Sequence, residues 1–228
     1  MLTVQCDFDD TITVSDLGAE LLKNLAPNQS TWRKVDEDYR AGRISVEECQ
    51  RSQFARMKIG PKEVQRYAIR EVEMRPGFSQ AVEYCRNEGI RFVIVSNGLD
   101  LYIDSILENL GLADLERYSG QARITDVGIA VDYVDPMGTQ LTENFKTACL
   151  KYLRAGNQPV VCIGDSVSDI PPALGADHVI ARSELLNHFQ RHQLPYLAFE
   201  TFYDVQHHLQ NLLHSLSGAG ARPRQTHP

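Results

Sequence analysis

The stretch CDFDDTIT, residues 6 to 13, follows the apolar run MLTV at the start of the chain and places Asp7, Asp9 and Asp10 within four positions. Three like charges this close repel one another, so folding gains nothing from the arrangement unless a cation neutralises it. In an extended strand, side chains two apart share a face, so Asp7 and Asp9 point one way and Phe8 the other. Open α/β sheets bind ligands beyond the carboxyl ends of their strands. A pair of carboxylates ending a strand therefore raises one question: is the rest of the chain such a sheet?

Working outward, short β-branched runs recur as LTVQCDF (2–8), RFVIVSN (91–97), PVVCIGD (159–165) and HVIAR (178–182). Their near-continuous apolar character is that of buried parallel strands. Between them, residues 77–89, 100–111 and 142–155 carry helix-period patterns, two of them ending in glycine. Strand–helix alternation predicts a doubly wound parallel α/β sheet. From 16 to 75 the alternation stops. Four amphipathic segments follow one another there with no strand between them, punctuated by Pro27 and the IGPK turn at 59–62. This predicts an all-helical cap over residues 16–75, inserted into a core of residues 1–15 and 76–216. GQARITDVGIAVDYV (120–134) reads as a hairpin turning near Asp126–Gly128. Residues 217–228 read as a disordered tail.

On this fold, four landmarks meet at one rim. Asp7 and Asp9 end the first strand, Ser96-Asn97-Gly98 the second and Gly164-Asp165 the third, with Asp169 one helical turn later. Each is plain on its own. SNG is an ordinary turn, Lys146 an ordinary helix lysine, and Asp10 a turn residue whose type tolerates unusual dihedrals. Trp32 and Tyr39 read as cap core, and the late histidines as surface residues. Together at strand ends, the landmarks describe a site.

Here the chain resembles the haloacid dehalogenase superfamily of aspartate-nucleophile phosphatases. DFDDT matches that family's D-x-D-x-T, VIVSNG its strand-ending serine, Lys146 in NFKTACL its helix-opening lysine, and GDSVSD its G-D-x-x-x-D. The resemblance implies that Asp7 attacks phosphorus and that Asp9 is the general acid and base. It implies that Ser96, Asn97, Gly98 and Lys146 hold the phosphoryl oxygens. It also implies Mg²⁺ on the Asp7 carboxylate, the Asp9 carbonyl and Asp165, with Asp169 in support. The chemistry needs that cation. A carboxylate about 3.5 Å from a phosphate dianion is repelled by roughly 9 kcal/mol at an effective dielectric of ~20. The helical insertion matches the cap of the subgroup that includes phosphoserine phosphatase, where Asp16 and the position of Gln53, with Arg56 nearby, would face the substrate. GDSVSDI, ARSELLNHFQ and LPYLAFETFYDV look more like the methionine-salvage branch, which acts on 2-hydroxy-3-keto-5-methylthiopentenyl-1-phosphate. DPMGTQLTENF, before Lys146, lacks the cysteine-rich insert of that branch. Phosphoserine phosphatase, or another phosphotransferase of the family, is the alternative. A receiver-type phospho-accepting module is the remote one, since its motif order differs.

Composition agrees with a small-molecule enzyme. The formal net charge is −7, with no basic block, which argues against nucleic acid or an anionic membrane as partner. No apolar run is long enough for a membrane span. Five scattered cysteines without a C-x-x-C pair read as free thiols of a cytoplasmic protein. The expected partner is a small phosphorylated metabolite, and the expected state is a monomer or homodimer.

Overall fold

In the computed structural model, which describes residues 2–25, 29–156 and 158–219, the first strand β1 (Thr3–Cys6) is buried along its whole length. Four helices follow: α1 (Leu17–Leu25), α2 (Gln29–Arg40), α3 (Val46–Phe54) and α4 (Pro61–Glu71). Pro61 opens α4 at its first helical position, where a missing N–H costs nothing; Pro27 lies outside the described residues. The chain then alternates through α5 (Phe78–Asn87), β2 (Arg91–Leu99) and α6 (Asp100–Asn109). Next come β3 (Glu116–Ile124), β4 (Ile129–Val134), β5 (Gln140–Leu141) and α7 (Phe145–Arg154). It closes with β6 (Val160–Gly164), a 3-10 turn (Val167–Asp169), α8 (Ile170–Gly175), β7 (His178–Ala181), α9 (Ser183–Arg191), β8 (Leu197–Ala198) and α10 (Phe202–Ala219).

One sheet holds all eight strands in the order β5-β4-β3-β2-β1-β6-β7-β8. β1 pairs in parallel with β2 on one side and β6 on the other, so the chain leaves it in both directions and a crevice opens at its carboxyl end. The sheet is not parallel throughout. β3 runs parallel to β2 over its first half and antiparallel to β4 over its second, and β4 pairs antiparallel with β5. That edge is the hairpin expected from 120–134. The tail differs from its expectation at the start: α10 continues through Ala219, and residues 220–228 lie outside the described ones.

The helical insertion leaves and rejoins the core through two adjacent segments, joined by an isolated β-bridge between Thr13 and Met74. Val14 N–H donates to the Glu73 carbonyl (2.8 Å) and Arg75 N–H to that of Ile12 (2.9 Å). Leu17, Leu21, Phe54 and Val64 from the insertion belong to the same continuous apolar cluster as the sheet residues Val4, Ile94 and Ile163. All five cysteines are buried and free. Among the described residues, no helix is long and apolar enough to cross a membrane.

Candidate active site

β1 ends at Cys6, and the backbone beyond it is fixed at once: Asp7 N–H donates to the Ile163 carbonyl of β6 (2.9 Å). Phe8 turns into the core while Asp7, Asp9 and Asp10 line a cavity of about 530 Å³ between the sheet rim and the helical insertion. Asp10 bends the chain with a φ of 57°, a left-handed conformation that aspartate tolerates. Its carbonyl accepts from two guanidinium groups, Arg75 (2.7 Å) and Arg182 (3.1 Å). Arg75 is only 6% exposed and also donates to the carbonyls of Thr11 (2.7 Å) and Thr13 (3.0 Å). It thus ties the carboxylate loop to the segment through which the insertion rejoins the core.

Lys146, second residue of α7, reaches this rim. Its ammonium donates to Asp7 (2.8 Å) and to Asp169 Oδ1 (2.7 Å), all three side chains being buried. Burial opposes its charge, yet Asp169 and Asp7 hold its pKa above the ordinary lysine value. Asp169 Oδ2 accepts from the backbone N–H of Asp165 (3.2 Å) and Ser166 (3.0 Å) and from the Ser166 hydroxyl (3.1 Å). Both its oxygens are therefore engaged. Asp165 Oδ1 accepts from Thr11 (2.7 Å). A Cβ at Gly164 would come within 2.5 Å of Asp169 Cγ, so only glycine lets that carboxylate fold back over the strand end.

Asp9 has a separate environment. Its Oδ2 accepts from the Tyr102 hydroxyl (2.6 Å) and its Oδ1 from the Leu17 N–H (3.0 Å). Burial and the charge of Asp16 raise its pKa well above the carboxylate range, against the pull of the Tyr102 hydrogen bond. Its surroundings therefore favour the protonated carboxyl more than those of a free aspartate do. Gly98 makes room for this pair, because a Cβ there would stand 2.0 Å from the Tyr102 hydroxyl and 2.4 Å from Asp9 Oδ2. Ser96 Oγ accepts from the Gly98 N–H (2.9 Å).

Asp7, Asp165 and Asp169 offer carboxylate oxygens within 4.8 Å of one another. Burial, then the charge of Asp169, pushes Asp7 up to about 7; burial, then Asp7 and Asp169, pushes Asp165 up to about 9. Hard oxygen donors, buried and in excess of the single lysine among them, suit a divalent cation such as magnesium. A stability prediction follows. Both groups bind protons more tightly folded than unfolded, where the pKa is about 4. The metal-free protein therefore loses stability as pH rises from about 4 towards about 9. Melting temperatures with chelator should fall between about pH 6 and 9, and saturating magnesium should reduce that fall by replacing the protons. A metal-free melting temperature that rises with pH over this window would refute the assignment.

The residues of the insertion divide. Asp16 lines the cavity, capping α1 through the Ala19 N–H (2.8 Å), and Gln53 lines it from α3. Arg56 is exposed and lies outside the lining. Arg51 turns away, donating to the carbonyls of Val131 (3.3 Å), Leu141 (2.5 Å) and Thr142 (3.1 Å). Sequence reasoning found the helix α2 and missed that it brings Asp36, Tyr39 and Arg40 to the cavity; Tyr39 is lining, whereas Trp32 packs on the core as expected. It also missed Tyr102, Thr11 and Arg75. Tyr102 and Arg75 carry no local signal, since a helical tyrosine and a loop arginine look alike in any setting. Thr11 was visible as the T of DFDDT.

Comparison with known proteins places this geometry. Residues 4–174 match the haloacid dehalogenase-like hydrolase family. A Brevibacillus brevis protein named 2-hydroxy-3-keto-5-methylthiopentenyl-1-phosphate phosphatase is 32% identical over 92% of this chain and 96% of its own. A Geobacillus kaustophilus protein of the same name is 33% identical, with the same coverage. Among solved structures, a phospho-aspartyl intermediate analogue of phosphoserine phosphatase superposes with a TM-score of 0.67 at 19% identity, over 92% of this chain and 97% of its own. At that identity the likeness is one of fold.

Proposed function

The chain belongs to the haloacid dehalogenase-like hydrolases, and from that premise we propose that it is a magnesium-dependent phosphatase of a small phosphate monoester, acting through an aspartyl-phosphate. The observation that carries this reading is the division of the two aspartates: Asp7 faces Lys146 and the buried acidic cluster, whereas Asp9 sits apart from that lysine, accepting the Tyr102 hydroxyl in surroundings that favour its protonated form. Magnesium held by Asp7, the Asp9 carbonyl and Asp165 would screen phosphoryl charge. Asp169, with both oxygens engaged, orients Lys146 and the Asp165–Ser166 turn.

A carboxylate oxygen of Asp7 attacks phosphorus, the ester P–O bond breaks, and the leaving alkoxide takes the proton of Asp9. Asp9, now ionised, removes a proton from water as that water attacks the aspartyl-phosphate. The P–O bond to Asp7 breaks and inorganic phosphate leaves. Ser96, the amides of Asn97 and Gly98, and Lys146 hold the equatorial oxygens. The helical insertion encloses the leaving group and limits access to small metabolites. The buried free cysteines fit a reducing cytoplasm, and the acidic net charge fits a protein without nucleic-acid or membrane partners, working as a monomer or homodimer.

The relatives' names point to 2-hydroxy-3-keto-5-methylthiopentenyl-1-phosphate as substrate. The cavity supports a neutral leaving group. Among the described lining residues, the cations are Lys146 and Arg40, and Arg40 is paired with Asp36 at 2.7 Å. A substrate carboxylate would meet Gln53 and no free cation. The enol phosphate or a polyol phosphate should therefore exceed L-phosphoserine in kcat/KM by at least about tenfold, about 1.4 kcal/mol. EDTA should abolish turnover of every substrate, and excess magnesium should restore it. Full activity in the chelated enzyme overturns the mechanism. Preference for phosphoserine overturns the substrate class and turns attention to Arg40.

A further inference from the structure

Helix α7 carries Lys146, and its N-terminus is finished in an unusual way. The N-cap residue Asn144 adopts a left-handed conformation (φ 63°), and its side chain makes no capping bond. The cap comes from elsewhere in the chain. Glu47, on α3 of the helical insertion and only 1% exposed, accepts the Phe145 N–H through Oε1 at 2.8 Å. The same oxygen is 3.5 Å from Asn97 Nδ2, near the carboxyl end of β2. One carboxylate from the insertion therefore touches both core elements assigned to the phosphoryl group.

The surrounding contacts favour a fixed rather than a sliding arrangement. Arg51, one turn along α3, donates to carbonyls of β4 and of the residues leading to α7, and stacks on Tyr133 at 5.3 Å. Tyr133 in turn donates to the Asn97 carbonyl (2.6 Å) and packs against Phe145, their ring centres 5.2 Å apart. On the far side of the lysine, Gln5 Nε2 donates to the Lys146 carbonyl (3.1 Å). An anion at a helix N-terminus also meets the positive end of the helix dipole. The first turn of α7 is thus clamped between β1 and α3.

We propose that Glu47 is a positioning residue: it sets the place of Lys146 and of Ser96–Gly98 at the end of β2, so that phosphoryl transfer depends on the docked insertion. This rests on the phosphatase reading above, because that reading makes those two elements phosphoryl contacts. What the geometry demands of Glu47 is the reach of an acceptor oxygen. Glutamine keeps the reach, aspartate shortens it by one methylene, and alanine removes it.

The test measures kcat and KM for 4-nitrophenyl phosphate, and Ki for orthovanadate, in Glu47→Gln, Glu47→Asp and Glu47→Ala, well below each melting temperature. Glu47→Gln should stay within about threefold of wild type in all three constants. Glu47→Asp should lose about tenfold in kcat and bind vanadate about tenfold more weakly. Glu47→Ala should lose about thirtyfold in kcat, with a smaller change in KM. Should the alanine variant not fold, the order of the glutamine and aspartate variants still decides. Glu47→Asp at or above Glu47→Gln overturns the proposal in favour of a role for charge. Unchanged kcat and Ki alongside lowered melting temperatures in all three overturns it in favour of a merely structural contact. A wild type that does not hydrolyse any phosphate ester overturns the phosphatase reading instead.

Discussion

Replacing Asp7 with asparagine is expected to lower turnover by on the order of 10⁴ or more and to abolish any acid-stable, hydroxylamine-sensitive phosphoenzyme. Asparagine keeps the volume and an acceptor oxygen for Lys146, so the site is preserved and only the nucleophile is lost. Folding should not suffer. One of three mutually repelling buried carboxylates becomes neutral, and Lys146 keeps Asp169 as counter-ion. A metal-free melting temperature at or above wild type is the expected companion result. Asp9→Asn should act differently: turnover falls strongly, yet phosphoenzyme stays detectable because the attacking group survives. Asp10→Asn should be mild. What Asp10 supplies is a left-handed backbone and a carbonyl for Arg75 and Arg182, and asparagine provides both. An Asp10→Asn variant as impaired as Asp9→Asn would sink this division of labour.

The fold was legible where one rule governs a whole segment. β1, β2, β6 and β7 are fully or nearly fully buried runs, so apolar continuity alone locates them to within two residues. The helical insertion was legible for the same reason, through four successive apolar stripes. The two-residue strands β5 and β8 are too short to show a period, and they owe their existence to a neighbour's free edge. β3 was half legible: its second half alternates within the hairpin, while its first half, ERYS, is polar enough to pass for a loop.

Within the site, sequence reasoning found the residues whose position follows from topology, because strand ends converge whatever the side chains do. It gave little about the insertion, where helix orientation decides what reaches the cavity. Gln53 and Asp16 arrive there, Arg56 does not, and Arg51 two positions from Gln53 is spent on main-chain carbonyls. Arg51 and Gln53 on α3 and Arg56 just beyond its end thus have three destinations, and no spacing rule distinguishes them. Arg75 and Glu47 were invisible for a related reason. Each binds backbone atoms, and a backbone partner leaves no trace in the sequence.

Lys146→Ala is expected to cost on the order of 10²–10³ in kcat, as loss of a preorganised donor to a developing charge does. The deeper consequence is electrostatic. Lys146 is the cation shared by Asp7 and Asp169, and removing one partner of a buried pair costs about 3–5 kcal/mol when the charges left behind stay unpaired. Those carboxylates have two ways out. They take up protons, which steepens the loss of metal-free stability as pH rises, or they take up a cation. Asp169 Oδ1, released from the ammonium, becomes available as a further ligand in a cluster whose oxygens already lie within 4.8 Å of one another. Lys146→Ala should therefore bind magnesium more tightly than wild type while turning over far more slowly, as calorimetric titration beside steady-state kinetics would register. A solvated surface lysine could produce neither effect. Near-normal kcat would limit Lys146 to a buried structural ion pair, and slow turnover with weakened magnesium binding would mean that the ammonium organises the metal ligands rather than competing with the ion for them.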